Sequence, residues 1–273
     1  MFKVSRSGYY GSLKGAVSSR AKENERLLSL IREEHHRSKQ RYGSPRISQA
    51  LKARDVQVSR PRVARLMKQA RIKAKTAKRF RATTDSKHSF AVSEDLLQRN
   101  FTPPATGQAW VSDITYIRTL AGWLYLTVVL DLADRKVIGW ALSETMGAKH
   151  TSVAALKMAV RNRPVLEELV FHSDRGVQYA CDEFRKALGA YPLIRQSMSR
   201  RANCWDNAVA ESFFKSLKSE CVYGARFENR QVAALEIFQY IEVFYNRQRI
   251  HSSLGYRTPI QMEQKLNTKP IAA

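Results

Sequence analysis

The first part of the chain spaces its apolar residues as helices do. Ala21–Lys39 carries a cluster of leucine and isoleucine residues among charged ones, which predicts an amphipathic helix. A second helix is predicted from Gly43-Ser44-Pro45, where apolar residues follow at i, i+3 and i+4. Ser59 is the predicted N-cap of a third helix, whose apolar face runs from Val63 to Ala70. A tight joint between two short helices is typical of a helix-turn-helix.

Beyond residue 107 the pattern changes to strands. Three segments rich in β-branched and aromatic residues predict an antiparallel meander at 110–118, 123–131 and 136–142. Helices and short strands then alternate, with strands predicted at 169–172 and 193–197. A long helix follows at Asp206–Glu220, started and capped by Trp205, Asp206 and Asn207, and another helix is predicted at 231–246. The expected fold class is α/β, with a mixed five-stranded sheet and flanking helices.

Positive charge is concentrated in the helical part. The net charge of the chain is +23. Residues 1–100 hold 25 Lys and Arg against 8 Asp and Glu, and residues 101–273 hold 22 against 16. Such a balance favours a polyanionic partner, because Lys and Arg neutralise phosphates. A ribosomal or membrane-surface protein is the alternative that charge alone leaves open.

The cysteines, the length of the apolar runs and the first residues argue against several classes of protein. Cys181, Cys204 and Cys221 have no zinc-ligand spacing, so we expect no zinc site, and their sparse number suits a reducing cytosol. No apolar run is long enough to span a membrane, and the first residues are polar and basic rather than a signal peptide. We therefore expect a soluble, intracellular protein without a membrane partner.

Three acidic residues occupy positions where chemistry is expected. Asp113 lies within the first strand, Asp174 directly follows the strand 169–172, and Glu211 lies in the long helix. A carboxylate among apolar strand residues is costly unless it is paired or binds metal. Three carboxylates on separate rigid elements suit Mg²⁺, which prefers oxygen ligands. Taken alone, each acid is also compatible with a purely structural role, as a strand-end, loop or solvated helical residue.

Three parts of the chain form a recognisable set of motifs, namely Asp113, His172–Gly176 and Asn203–Lys215 around Glu211. Together they resemble the second-reading-frame (OrfB) transposases of insertion-sequence family three. The ending Tyr245–Pro259 and the opening Ser5–Tyr10 are also similar to that family, so the likeness spans nearly the whole chain.

This resemblance implies a ribonuclease-H-like core related to retroviral integrases. Asp113, Asp174 and Glu211 would be the catalytic residues and would hold two divalent metal ions, Mg²⁺ with Mn²⁺ able to substitute. The implied activity is cleavage at the ends of an insertion element and strand transfer by transesterification. One departure is visible, because Asp174 and Glu211 are separated by one residue more than the family pattern has. We expect the extra residue at 191–195.

The resemblance and the patterns together predict three regions. Residues 1–100 form a basic helical DNA-binding region with a helix-turn-helix at about 40–72, joined by the linker 101–107 to the catalytic core at 101–225. A helical extension covers 226–273. Implied partners are DNA, further copies of the chain and the product of an upstream reading frame. The implied location is the bacterial cytoplasm, in association with the nucleoid.

Several basic residues are candidate DNA contacts, namely Arg60, Arg62, Arg65, Arg200, Arg201, Lys215 and Lys218. The alternatives are a small bundle with a solvated basic face for the first three, and a Glu211–Lys215 surface pair on the helix. His172 is predicted to bond its neighbours at a strand end rather than to transfer protons. For Asp131 and Asp134 we expect pairing with Arg135.

Two other functions are compatible with the same residues. One is a DNA-binding relic of a transposase whose core no longer cleaves, an option that the extra residue before Glu211 keeps open. The other is a structure-specific nuclease on the same fold. Intact acids in a matched context argue against the relic, and the family-like C-terminal segment argues against the nuclease.

Overall fold

The computed structural model describes residues 6–13, 17–75, 92–200 and 203–268. The chain divides into two compact units, Met1–Lys75 and Thr76–Ala273, and each is described by itself. Arg201, one of the candidate DNA contacts, lies outside the described residues. In the described part of the chain, no helix combines the length and apolar character needed to cross a membrane.

The first unit is helical. Its helices are α1 (Arg6–Leu13), α2 (Ser19–Arg37), α3 (Ser44–Lys52) and α4 (Arg60–Gln69). Helices α2, α3 and α4 pack against one another around fully buried aliphatic side chains such as Ile31, Ile47 and Val63. The Ser59 side chain accepts the backbone N–H of Arg62, so the predicted N-cap is confirmed. The three predicted helices are confirmed, whereas α1 was not predicted.

A buried carboxylate joins two of these helices. Glu34 of α2 is fully buried and pairs with Arg37 at 2.8 Å and with Arg54, just beyond α3, at 2.9 Å. Arg54 also reaches Glu33 at 3.0 Å. A buried charge is tolerated because it is paired, and the pairing fixes α3 against α2.

The second unit is built on a five-stranded mixed sheet. Its strands are β1 (Ala109–Thr119), β2 (Gly122–Asp131), β3 (Val137–Ser143), β4 (Leu169–Ser173) and β5 (Ile194–Met198), in the order β3-β2-β1-β4-β5. Pairing of β1 with β2 and of β2 with β3 is antiparallel, which confirms the predicted meander. Strands β4 and β5 continue the sheet in parallel with β1, so the ribonuclease-H-like fold class is confirmed.

Three helices cover one face of the sheet and three more follow the last strand. The first group is α5 (Ser152–Asn162), α6 (Val177–Ala180) and α7 (Asp182–Gly189); the second is α8 (Ala208–Leu217), α9 (Arg230–Phe238) and α10 (Pro259–Asn267). Helix α5 crosses β3 so closely that a Cβ at Gly139 would lie 2.3 Å from the carbonyl oxygen of Ala155. Only glycine allows this approach. Helix α8 packs on β1 and α9 on β2.

The long helix predicted at Asp206–Glu220 is divided in the structure. A 3₁₀ turn, Cys204–Asn207, precedes α8, and a π-helical turn, Lys218–Val222, follows it. A second π-helical segment, Gln239–Tyr245, continues α9. Apolar periodicity does not distinguish these helix types, because from one type to the next the spacing of the backbone hydrogen bonds changes by only one residue.

The expected pairing of Asp131 and Asp134 with Arg135 is wrong. Both carboxylates bind Arg163 at the end of α5, at 2.6 and 2.7 Å. Asp131 also accepts the indole N–H of Trp110 at 3.1 Å, and Arg135 donates instead to the carbonyl of Phe101 at 2.8 Å. Arg163 is remote in sequence but lies over the β2–β3 turn because α5 crosses β3.

The segment before the predicted linker packs on the core. The Leu96 N–H donates to Ser197 Oγ at 2.9 Å, and the Met198 N–H donates to the Glu94 carbonyl at 3.3 Å. Leu97 is buried. These contacts attach residues 92–100 to β5, whereas the predicted division of the chain into three regions stays a prediction.

One buried hydroxyl gives a stability prediction. Thr127 Oγ1 in β2 is fully buried and has no hydrogen-bond partner among the described residues. Valine has the same shape without the polar atom, so Thr127→Val is expected to stabilise the fold by about 1 kcal/mol and raise Tm by about 2–4 °C. Thermal unfolding followed by circular dichroism measures the change.

The matched control is Thr119→Val in β1. The Thr119 hydroxyl donates to the Gly122 carbonyl at 2.8 Å, so the same substitution should lower Tm there. A lowered Tm for Thr127→Val would mean that its hydroxyl is satisfied, for instance by a buried water.

Candidate active site

The three predicted acids come from three elements of the second unit. Asp113 lies in β1, Asp174 directly follows β4, and Glu211 lies in the first turn of α8. Ser112 and Ser173 are register partners in the last pair that joins β1 to β4. The residue that follows each of these two serines is an aspartate, and both aspartates stand where the two strands separate. Ligand-binding groups are typical of this position in open sheets.

Asn207 attaches the start of α8 to β1. Its side-chain N–H donates to the carbonyl of Ser112 at 3.1 Å, next to Asp113. Asn207 occupies the N-cap position of α8, but its side chain makes no capping hydrogen bond. The predicted capping role of Asn207 is therefore wrong, and Asn203 caps the preceding 3₁₀ turn through the Trp205 N–H. The contact with Ser112 brings Glu211 towards the two aspartates.

The pKa values of Asp113 and Glu211 are raised by burial and by the charge of Asp174. Burial and then the charge of Asp174 raise the pKa of Asp113 well above its ordinary value, with a smaller contribution from Glu211. Burial and Asp174 also raise the pKa of Glu211. A hydrogen bond from the Ile114 N–H, at 2.8 Å, opposes the shift of the Asp113 pKa. The three acids therefore share one electrostatic site of excess negative charge.

The turn after β4 fixes Asp174. Its Oδ1 accepts the Gly176 N–H at 2.9 Å, and its carbonyl accepts the Ser173 hydroxyl at 2.9 Å. A Cβ on Gly176 would lie 2.9 Å from Asp174 Oδ1, so a larger residue here would displace this carboxylate. One carboxylate oxygen is thus engaged in the turn.

The donor set suits a divalent cation. Three carboxylates supply the oxygen ligands that Mg²⁺ prefers, and their mutual repulsion is what a bound cation would neutralise. Across the described residues, no three His, Cys, Asp or Glu side chains stand close enough together to hold a metal ion. Without a cation, like-charged carboxylates are expected to turn away from one another.

Removing one of these charges is expected to stabilise the metal-free protein. The pKa of Asp113 is raised in the folded state, so its ionisation opposes folding, and stability falls as pH rises through that value. Asp113→Asn should therefore have the higher Tm in EDTA at neutral pH, by about 2–4 °C for each kcal/mol gained. The difference should close below the unfolded-state pKa of about 3.9. A constant difference from pH 4 to 8, measured by calorimetry, would contradict this origin.

His172 is a structural residue of β4. The side chain is fully buried, with Nδ1 at 2.8 Å from Ser197 Oγ and Nε2 at 3.1 Å from Ser199 Oγ. Burial lowers its pKa, although Asp95 opposes the shift, so the ring is neutral at pH 7. The expectation that His172 bonds its neighbours is confirmed.

The loop before α8 is held by an ion cluster. Asp206 is buried and accepts hydrogen bonds from the guanidinium groups of Arg200, at 2.9 and 3.0 Å, and Arg99, at 2.8 Å. These bonds hold the pKa of Asp206 well below its ordinary value. Arg200 was a candidate DNA contact, and its guanidinium is engaged in this cluster. Arg201 lies outside the described residues.

The two predicted lysines differ in their surroundings. Lys218 begins the π-helical turn after α8 and is partly buried, which lowers its pKa, while the nearby charge of Asp113 opposes that shift. Lys215 is exposed. In the part of the chain that the structure describes, no ion pair joins Lys215 to Glu211. Lys218 therefore belongs to the carboxylate site, and Lys215 points to solvent.

The candidate arginines of α4 also differ. Arg60 and Arg65 are exposed. Arg62 donates through Nε and Nη2 to Asn24 Oδ1 of α2, at 3.1 and 2.8 Å. Arg62 thus links two helices of the first unit, while Arg60 and Arg65 remain on its surface.

A buried network in the C-terminal segment was not predicted from the sequence. Arg249 is buried and contacts Glu220, in the π-helical turn after α8, through Nε at 2.9 Å and Nη2 at 2.8 Å. Arg249 Nη2 also reaches Ser216 Oγ of α8, and Tyr240 OH donates to Glu220. The ring of His251 lies 3.3 Å from Arg249 Nη1. The only sequence signal was the motif 245–259, whose residues had no assigned physical role.

Family profiles match most of the described chain. An HTH-like domain matches residues 22–80, and the integrase core domain matches residues 103–204. A second integrase core domain profile matches residues 211–266. Asp113 and Asp174 fall in the first integrase match, and Glu211 begins the second.

Full-length relatives and a solved structure agree with these matches. An uncharacterized 31 kDa protein of insertion element IS600 from Shigella sonnei is 41% identical over 97% of both chains. Transposase InsF of insertion sequence IS3A from Escherichia coli K12 is 39% identical over 97% of this chain and 92% of its own. A simian T-cell lymphotropic virus intasome chain shares the fold, with a TM-score of 0.51 and 13% identity over 89% of this chain and 76% of that chain. The chain belongs to the transposase family of the insertion sequence IS3, whose members carry an integrase core.

Proposed function

We propose that the chain cleaves DNA at the ends of an insertion element and joins the freed ends to a second site, with Asp113, Asp174 and Glu211 as its catalytic residues. The observation that carries the proposal is that Asp113 and Asp174 stand where β1 and β4 separate, while Asn207 attaches α8, which carries Glu211, to β1 next to Asp113. Burial and the charge of Asp174 raise the pKa of both Asp113 and Glu211. Membership of a DDE-type transposase family supports the same reaction class.

The three acids are held in place by different elements of the fold. Asp113 and Asp174 are held by paired strands, and Glu211 is held by a helix that Asn207 attaches to β1. Integrase cores are metal-dependent, and the three acids would hold two divalent cations, Mg²⁺ or Mn²⁺. Bound there, these ions would activate the attacking oxygen and stabilise the leaving oxygen. Lys218, partly buried beside Asp113, would bind the phosphate that enters the site.

The reaction balances without ATP. In the first step, a water oxygen forms a bond to phosphorus and the bond to the 3′-oxygen breaks, which frees a 3′-hydroxyl. In the second step, that hydroxyl forms a new phosphodiester at another phosphorus as one phosphodiester breaks. Each step forms one bond to phosphorus and breaks one, so the protein contributes by positioning the reacting groups and stabilising their charge.

The proposed partners follow from the two kinds of domain. An HTH-like domain and an integrase core imply DNA as the partner and an oligomeric, intasome-like assembly. We further propose that the chain acts with the product of an upstream reading frame, and that it associates with the bacterial nucleoid. The one-residue excess between Asp174 and Glu211 is compatible with the turn 191–194, where the Ile194 N–H donates to the Tyr191 carbonyl at 2.9 Å.

A strand-transfer assay tests the proposal. Full-length protein, alone and with the upstream-frame product, is incubated with labelled element ends, target DNA and Mg²⁺. We expect cleaved ends and joined products, both absent in EDTA. Cutting without joining would favour a nuclease, and binding without either step in both preparations would favour an inactive relic.

The surface arginines of α4 provide a separate test of DNA binding. Arg60→Ala with Arg65→Ala should weaken binding and reduce the slope of log affinity against log salt by about 0.9 for each lost phosphate contact. Arg62→Ala should also lower stability, because Arg62 bonds Asn24. Fluorescence anisotropy at several salt concentrations measures the slope.

The control for this pair is Arg26→Ala, another exposed arginine of the first unit, which pairs with Glu23 on the same helix. An unchanged slope for the α4 variants would exclude Arg60 and Arg65 from the DNA interface.

A further inference from the structure

A groove of about 410 Å³ shares one lining residue, Lys218, with the carboxylate site. One wall is the end of the β1–β2 hairpin and the other is the chain after α8. Its lining includes Tyr116, Arg118, Trp123, Lys218, Tyr223 and Arg226. The volume lies in the range of small-molecule sites.

The sheet topology creates this groove. Strand β1 pairs with β4 only from Ala109 to Ser112, so in the described part of the sheet no strand covers the same edge of β1 beyond Ser112. The chain after α8 runs past the hairpin, where the Leu120 N–H donates to the Phe227 carbonyl at 2.9 Å. Gly224, with φ +88°, allows the reversal between Lys218 and this contact.

Aromatic side chains form much of the lining. Tyr116 makes edge contacts with Trp123, at 6.3 Å between ring centroids, and with Tyr125, at 5.3 Å. These contacts hold the Trp123 indole in place, yet half of the side chain is exposed to solvent. Tyr223 on the other wall is also exposed. Exposed rings beside a groove are typical of stacking platforms for unpaired bases.

The charge of the groove indicates what kind of molecule it binds. Arg118, Lys218 and Arg226 are among its lining residues, and none of the lining residues is acidic. Arg118 and Arg226 are exposed. The charge of Asp113 acts on Lys218, so Lys218 belongs both to the groove and to the carboxylate site. Cations around stacked rings suit a nucleotide, which has an aromatic base and a negative phosphate.

We propose that the groove binds an unpaired nucleotide of the DNA strand that is being processed, with its base against Trp123 and its phosphates near Arg118 and Arg226. This inference rests on the proposed function, since it places that nucleotide further along the same DNA strand whose phosphate lies at the carboxylates, on the far side of Lys218. Removing a base from a duplex is least costly where it is already unpaired, and aromatic stacking accepts any base. Binding should therefore depend on an unpaired nucleotide and little on its identity.

The test compares two DNA probes in EDTA, where no cleavage occurs. One duplex contains a single unpaired 2-aminopurine, and the other is fully paired with the same length and label. We expect the full-length protein to bind the first duplex more tightly, with a change in the 2-aminopurine fluorescence. Trp123→Ala should lose about tenfold in affinity for that duplex only, whereas Trp123→Phe should retain most of it.

Controls separate the groove from general effects. Phe238→Ala alters a similarly exposed aromatic residue of α9 outside the groove and should leave the preference unchanged. Tyr223→Ala, at an exposed position, provides a second groove variant if Trp123→Ala does not fold. Equal affinity for both duplexes, or equal losses on both, would overturn the proposal.

Two further outcomes distinguish the occupant and the proposed function. A change in oligomeric mass for Trp123→Ala, measured by light scattering with the DNA preference intact, would mean that the groove binds protein, and would overturn the proposal. If the preference is present and depends on Trp123 while the chain neither cleaves nor joins DNA, the groove is supported and the proposed function fails.

Discussion

Glu211→Gln is expected to abolish strand cleavage and joining while DNA binding stays near that of the parent. Glutamine keeps the shape and helix propensity of glutamate, and the side chain is exposed on α8, so the fold should persist. The neutral amide is a poorer ligand for a divalent cation. Losing one preorganised electrostatic group costs at least roughly 10²–10³-fold in rate, and both steps should show the loss. Gel quantification of cleaved and joined products gives the rates, and anisotropy gives the affinity.

The matched control is Glu236→Gln, the same substitution at an exposed position of α9. It should leave both rates and the affinity unchanged. Joining that persists in Glu211→Gln would remove Glu211 from the catalytic residues. Loss of binding together with a lowered Tm would instead assign it a structural role.

The second large effect is expected at Arg249. Arg249→Ala removes the cation that pairs with the buried carboxylate of Glu220 and leaves it the Tyr240 hydroxyl, and breaking a buried ion pair in this way costs about 3–5 kcal/mol. For a domain of this size the loss lowers Tm by on the order of 10 °C. Chemical denaturation measures the free energy of unfolding, and thermal scans measure Tm.

Arg247→Ala is the matched control, because Arg247 is exposed two residues away in the same segment. It should change stability by less than about 0.5 kcal/mol. Glu220→Gln combined with Arg249→Met should recover part of the loss, since no unpaired charge remains. If Arg249→Ala were as stable as the parent, the network would not contribute to folding.

The sequence predicted the elements better than the contacts between them. Segments rich in β-branched and aromatic residues located β1, β2 and β3 to within a residue or two, because the preference of these residues for strands is local. The positions of Asp113, Asp174 and Glu211 followed from their context in those elements and from the family motif. Their convergence then depends on the β1–β4 pairing, which spacing alone does not specify.

Long-range polar contacts were the part that could not be predicted. Asp131 binds Arg163 rather than its close neighbour Arg135, and Asn207 reaches Ser112 instead of capping its own helix. Each choice depends on which surfaces the folded chain brings together, such as α5 crossing β3 at Gly139. The π-helical turn after α8 was not predicted for a similar reason. It contains the buried Glu220, and the partner of Glu220, Arg249, lies far away along the chain.

The attachment of residues 92–100 to β5 has a practical consequence for dissecting the protein. The integrase match begins at residue 103, but a fragment starting there would lack the partners of Met198, Ser197 and Asp206. The fragment would expose an end of β5, and Asp206 would keep Arg200 but lose Arg99 at the loop that leads into α8. An excised domain that keeps its native solubility and melting behaviour should therefore begin upstream of Val92, and homology boundaries alone would place the cut too late.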